Sequence, residues 1–88
     1  MYKERAAAVD HVHETMFPSM EKCRSASAGL SADICVFYRS KVEASDRTSV
    51  WIKVRFYVKC CAAVEDSGSY MVRIDKESLG VIKCYGPN

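Results

Sequence analysis

No run of apolar residues in this chain approaches the roughly 18 needed to cross a bilayer. The amino-terminal MYKERAAAVDHVHE carries charges where a secretory signal would need its apolar stretch. Membrane insertion and secretion are therefore not expected. Only two prolines and four glycines occur in 88 residues, which excludes collagen-like and low-complexity chains. A net charge of +2 lacks the strong basic excess of most nucleic-acid-binding domains. The five cysteines, Cys23, Cys35, Cys60, Cys61 and Cys84, form an odd set without a C-x-x-C pair. That pattern predicts free thiols in a reducing, cytoplasmic setting rather than a disulfide framework.

Chemical signatures are equally sparse. Gly68 and Gly80 match no phosphate-cradling loop, and no Ser/His/Asp order suggests a triad. Asp10-His11-Val12-His13-Glu14 has the right residue types for a metal. Two histidines two apart on a helix diverge, however, and a pair at i, i+3 does not close a zinc site. These side chains are expected on a solvated helix face. No catalytic residue, metal site or cofactor is assigned, and an enzyme is not expected.

What the chain does have is two periodicities. Val9, Val12, Met16, Met20 and Cys23 recur at spacings of three and four, the stripe of an amphipathic helix. Pro18 falls inside that stripe, so the helix is expected to kink or break near Phe17, and the continuing phase favours a kink. Gly29 is the expected carboxy-terminal stop. From Ser31 onward the period becomes two and the Val, Ile, Tyr and Phe content rises, as in strands. Four strands are predicted near Ile34–Val42, Val50–Cys61, Tyr70–Asp75 and Val81–Tyr85. Their short connections carry turn residues, which implies an antiparallel meander. Residues 1–88 are thus expected to form one α+β domain, with a kinked helix or two helices on one face of a four-stranded antiparallel sheet.

The second strand, VWIKVRFYVKCC, sets the register. Its even positions, Val50, Ile52, Val54, Phe56, Val58 and Cys60, are apolar throughout and should face the helix. Reversing them would forfeit on the order of 10 kcal/mol at roughly 1.5–3 kcal/mol per large apolar side chain. A bend or bulge is expected near its end, where the alternation fades. Val72, Ile74, Ile82 and Cys84 are expected inward on the last two strands. On the first strand, Ile34, Val36 and Tyr38 compete with Cys35 and Phe37 for the core. The outer face then collects Trp51, Lys53, Arg55, Tyr57, Lys59, Arg73, Lys83 and Tyr85, with Met71 and Val81 beside them and Asp75 opposing the charge.

That mixture predicts an interaction surface. Its aromatic, Met and Arg content suits a homodimer formed through the sheet, with Trp51 as the anchor. Single-stranded nucleic acid or another polyanion is the alternative, with cations meeting phosphates and rings stacking on bases. A further alternative is a small-ligand cup between helix and sheet near Phe17, Met20 and Tyr70.

The segment Tyr70-Met71-Val72-Arg73-Ile74-Asp75-Lys76-Glu77-Ser78-Leu79-Gly80-Val81-Ile82 resembles the terminal hairpin of small cystatin-like and nuclear-transport-factor-2-like domains. Those hairpins run from a strand ending in Ile-Asp, through a short turn with Gly, to Val-Ile. The resemblance covers roughly a fifth of the chain. It implies a curved antiparallel sheet wrapped around a long helix, and carries over no functional residue.

Overall fold

The computed structural model describes residues 2–23, 34–60 and 63–87, with backbone alone for residue 60 and residues 63–67. One helix, α1 (Tyr2–Met16), precedes five strands: β1 (Glu21–Lys22), β2 (Cys35–Ser45), β3 (Ser49–Cys60), β4 (Ala63–Asp75) and β5 (Val81–Tyr85). The strands lie side by side in sequence order. The last four form an antiparallel meander, and β1 runs parallel to β2, so the sheet is mixed and has one more strand than expected.

Helix α1 forms where Ala6-Ala7-Ala8 supplies strong helix formers and Glu4 places a carboxylate in the first turn, against the positive end of the helix dipole. It buries Ala8 and Val12 completely, whereas Met16, expected in the buried stripe, is 44% exposed. The helix stops at Met16 and does not kink through Pro18. Proline offers no N–H to continue the ladder and disfavours helical geometry in the residue before it. The Phe17 N–H closes the final turn on the His13 carbonyl at 2.9 Å. Beyond the break, Glu21-Lys22 joins the sheet, with Glu21 opposite Cys35 and Lys22 opposite Val36. The expected Gly29 stop lies outside the described residues.

The inner face of the sheet holds the core. Val50, Ile52, Val54, Val72, Ile74 and Val36 are fully buried, and Phe56 and Tyr70 nearly so, packed beneath Ala8 and Val12 of the helix. The predicted β3 register is therefore correct over Val50–Phe56. Val58 is only partly buried, and the Cys60 side chain lies outside the described residues. On β2, Val36 is inward, and Tyr38 and Val42 also pack on the core.

Two bulges modify the expected geometry. On β2, Ala44 rather than Glu43 is opposite Trp51, so one residue is extra there. On β4, Phe56 faces Gly68 while Tyr57 faces Asp66, leaving Ser67 extra beside a glycine with φ of 132°. That bulge explains why Glu65–Ser69, expected as a loop, continues the strand. Strand β5 pairs with β4 only from Met71 to Ile74, so among the described residues no strand lies beside residues 63–69 on that side, and polar residues are tolerated there. A third irregularity sets Ile74 opposite Val81 but Arg73 opposite Lys83. Its consequence is that Val81 packs on the core and Ile82 is 45% exposed, the reverse of the expected inward Ile82.

The thiol expectation is corrected at two positions, because Cys23 and Cys35 form a disulfide. The Cys23 N–H also bonds the Val36 carbonyl at 2.9 Å, so β1 brings the two cysteines together. Cys84 is free, and burial pushes its thiol pKa up. Cys61 lies outside the described residues. Reducing the disulfide should lower stability by about 3 kcal/mol, the chain-entropy value for a loop of this length. Denaturant unfolding with and without reductant measures the effect, and a Cys23→Ser/Cys35→Ser variant should show the same loss.

Candidate functional site

Strand parity places Phe37, Arg39 and Lys41 of β2 on the same outer face as Trp51, Lys53, Arg55 and Tyr57 of β3. Across the two strands Arg39 is directly opposite Arg55, and Lys41 is directly opposite Lys53. On the far side Arg73 faces Lys83. Like charges in facing positions repel and destabilise a sheet, by a few tenths to about 1 kcal/mol, where neither is otherwise paired, as at Lys41 and Lys53. Among the described residues, Arg39, Lys41 and Lys53 make no ion pair. A depression of about 300 Å³ lies among Arg39, Lys41, Glu43, Lys53, Arg55 and Tyr57, so the facing cations border one concavity, with Glu43 the one carboxylate among its described lining residues.

The aromatic side chains of this face contact one another. Phe37 stacks on Tyr57 with ring centroids 4.9 Å apart, and Trp51 stacks on Tyr85 at 5.8 Å. Guanidinium groups add to both pairs: Arg39 lies 6.0 Å from the Tyr57 ring centre and Arg73 lies 5.8 Å from that of Trp51. The π surfaces that a nucleobase or a second chain would use are thus partly engaged already. Trp51, the expected dimer anchor, is half-buried within its own chain.

Lys59 does not belong to the exposed surface on which the sequence places it. It is 2% exposed, at the disulfide-bearing end of the sheet opposite Cys35 and Val64. A buried ammonium has to be hydrogen-bonded, and no buried side-chain nitrogen or oxygen among the described residues is left unsatisfied. Lys59 is therefore part of the packing and not of a solvent-facing cation patch. The other seven expected surface residues, Trp51, Lys53, Arg55, Tyr57, Arg73, Lys83 and Tyr85, are all partly or fully exposed. Arg39 and Lys41 were missed because the two faces of β2 were not separated. Alternation alone does not place them, because both faces of β2 carry aromatic or apolar residues; the full burial of Val36 fixes the parity that turns them outward.

Two turns brace one end of this face. In the β2–β3 turn, Asp46 Oδ1 accepts the N–H groups of Thr48 and Ser49, each at 2.8 Å. In the β4–β5 turn, Asp75 Oδ1 accepts those of Glu77 and Ser78, each at 2.9 Å. Leu79 closes that turn with φ of 61°. The turns are joined, since Lys76 donates its N–H to the Thr48 carbonyl and its Nζ to the Asp46 carbonyl. Arg73 Nε donates to Ser49 Oγ at 2.9 Å, and its guanidinium lies 3.8 Å from Asp46 Oδ2, which fixes Arg73 beside Trp51.

The Ser49 and Thr48 N–H groups hold the Asp46 carboxyl at about 2, and those of Ser78 and Glu77 lower that of Asp75 in the same way. A carboxyl whose folded pKa lies below its unfolded value stabilises the fold above the unfolded pKa, and the contribution disappears as pH falls through the folded one. The melting temperature should accordingly fall between about pH 4 and pH 2. Asp46→Asn should melt lower at neutral pH and show a smaller acid-dependent fall; an unchanged acid profile would contradict this account of the turn.

The residues of the expected ligand cup are packed into one another. Phe17 lies 5.0 Å from Phe56, and Phe56 lies 5.5 Å from Tyr70, which is 5% exposed. Met20 packs against the same cluster. The described depressions are lined by other residues. His13, expected in solvent, instead hydrogen-bonds the Tyr38 hydroxyl through Nδ1 at 2.7 Å. Burial, reinforced by Tyr70, pushes the Tyr38 phenol up to about 12, so it stays protonated across the physiological range.

No helix among the described residues is long and apolar enough to cross a membrane. No known protein family, curated protein or solved structure matches the chain.

Proposed function

We propose that the outer sheet face binds a linear polyanion through its backbone charges. The observation that carries this reading is Lys41 directly opposite Lys53, beside one depression that Arg39 and Arg55 also border. Such an arrangement costs folding stability and gains energy when an anionic ligand enters. A low-dielectric surface with several cations around one concavity also concentrates positive potential there. Recognition by charge fits the aromatic geometry better than base stacking does, because the rings are paired with each other and with arginines.

Pairing of this face with a second copy, the sequence's leading expectation, is less well supported. It presses a cation-rich face against its own duplicate, and like-charge juxtaposition across an interface costs several kcal/mol. The Cys23–Cys35 disulfide favours an oxidising compartment over the cytoplasm. The cystatin-like and nuclear-transport-factor-2-like resemblance carries no argument for function, since a fold of that kind hosts many functions.

The test is binding of a fluorescent twenty-nucleotide oligothymidylate and, separately, of a heparin oligosaccharide, each at low salt. Both should bind, with affinity following charge density, while light scattering reports a monomer. Absence of binding to either, or a dimer that Trp51→Ala dissociates, would overturn the proposal.

A further inference from the structure

We infer that the groove between α1 and the edge of β2 is a docking site for an extended acidic peptide, which adds to the sheet as a further strand beside β2. Strand β1 pairs only with Cys35 and Val36. Among the described residues, no strand pairs with the other side of β2 from Phe37 to Ser45. Nine residues of edge span about 30 Å at roughly 3.3 Å each, and alternate residues direct their N–H and C=O groups outward.

Exposed edges are commonly guarded by Lys and Arg, and Arg39 and Lys41 fit that role. This edge differs because it borders a concavity. Two cavities, of about 600 Å³ and 330 Å³, lie between the helix and β2 and share Val9 and Arg39 as lining residues. A groove between an edge strand and a helix is the geometry in which an extended peptide is held by main-chain bonds, with pockets for alternate side chains.

The lining specifies the occupant. Arg5 on the helix and Arg39 on β2 bring cations to the two walls of the larger cavity. The acid there, Asp10, is already joined to Lys22 at 2.8 Å. Tyr2, 77% exposed, and Val9 give apolar surface along the helix wall. A peptide alternating carboxylates with small apolar residues satisfies both sets. A second copy joined edge to edge does not, because its own Arg39 and Lys41 would be brought against these.

The inference is separable from the proposed polyanion binding, since Arg39 borders both sites but Arg5 and the edge backbone lie off the outer face. The test is an amide NMR titration of the full chain with a blocked eight-residue peptide alternating Glu and Val. Saturable shifts are expected at the amides of Phe37–Ser45 and at Ala6 and Val9. Methylating alternate peptide nitrogens should abolish binding, and Arg5→Glu should weaken it at least about fivefold. Glu77→Gln, in the β4–β5 turn, should leave it unchanged. Shifts confined to Lys53, Arg55 and their neighbours would overturn the inference, as would equal binding of the methylated peptide. An affinity indifferent to Arg5→Glu, or a peptide-free dimer using the same amides, would overturn it too.

Discussion

Lys53→Glu should yield a protein that is more stable than the parent and a weaker binder of polyanions. The substitution turns the facing Lys41–Lys53 pair into an ion pair. Relief of repulsion and the new attraction together should raise unfolding free energy by about 0.5–1 kcal/mol, on the scale of cross-strand pair energies. The same change removes two units of positive charge from the edge of the depression. A partner held largely by charge should lose about tenfold or more in affinity at low salt. Opposite movement of stability and binding is the distinguishing feature. A lysine present only to keep the sheet soluble would show a small effect on both, and a lysine needed for packing would lower both. Lys41→Glu should behave in the same way, while the double variant, with two acids facing each other, should return toward parental stability and bind no polyanion. Denaturant unfolding and fluorescence binding on the same samples measure the two quantities.

The largest loss of stability is expected from Phe56→Ala. Phe56 is 6% exposed and stands between Phe17, which follows the helix, and Tyr70 on β4. Its ring therefore joins three parts of the chain. Truncating a buried Phe to Ala costs about 3–5 kcal/mol, the upper end applying where neighbours cannot collapse into the space. Phe17 sits in a short turn tied to His13 at one end and to Met20 at the other, which restricts its movement. Strand Tyr70 is held in the β3–β4 ladder opposite Val54. A loss near 4 kcal/mol is a large share of the 5–15 kcal/mol typical of whole domains. The variant should unfold at markedly lower denaturant with an unchanged transition slope. It should also gain affinity for small apolar molecules such as benzene, as engineered apolar cavities do. A loss below about 1 kcal/mol would mean that this cluster is not the packed centre of the inner face.

Much of the architecture was legible from hydrophobic spacing. Strand β3 reads correctly from Val50 to Phe56 because burying its even face outweighs every local alternative. Most positions where the structure departs from the expected pattern share a physical cause: each depends on a contact or irregularity that leaves no periodic trace. The β4 bulge carries a polar segment into the ladder, and the irregular β4–β5 pairing turns Ile82 outward. Pro18 was recognised as a disruption, but only the pairing of Glu21-Lys22 with β2 shows why breaking the helix is preferred to bending it. That pairing also places Cys23 beside Cys35, a proximity that an odd cysteine count does not reveal. Of the eight residues expected on the outer surface, seven are partly or fully exposed and Lys59 is buried, because alternation reports which way a side chain points and not what covers it. Arg39 and Lys41 were hidden for a different reason. On β2 both faces carry aromatic or apolar residues, Phe37 outward and Tyr38 inward, so parity alone was ambiguous until Val36 was seen to be fully buried.

The salt dependence of oligonucleotide affinity tests the central claim most directly. For a face that binds through Arg39, Lys41, Lys53 and Arg55, the logarithm of the association constant should fall linearly with the logarithm of salt concentration. Its slope should be about −2 to −3, near −0.7 for each phosphate contact on a single strand. Lys53→Glu should reduce the magnitude by about one contact or more. A slope near zero, or one that Lys53→Glu leaves unaltered, would contradict the account.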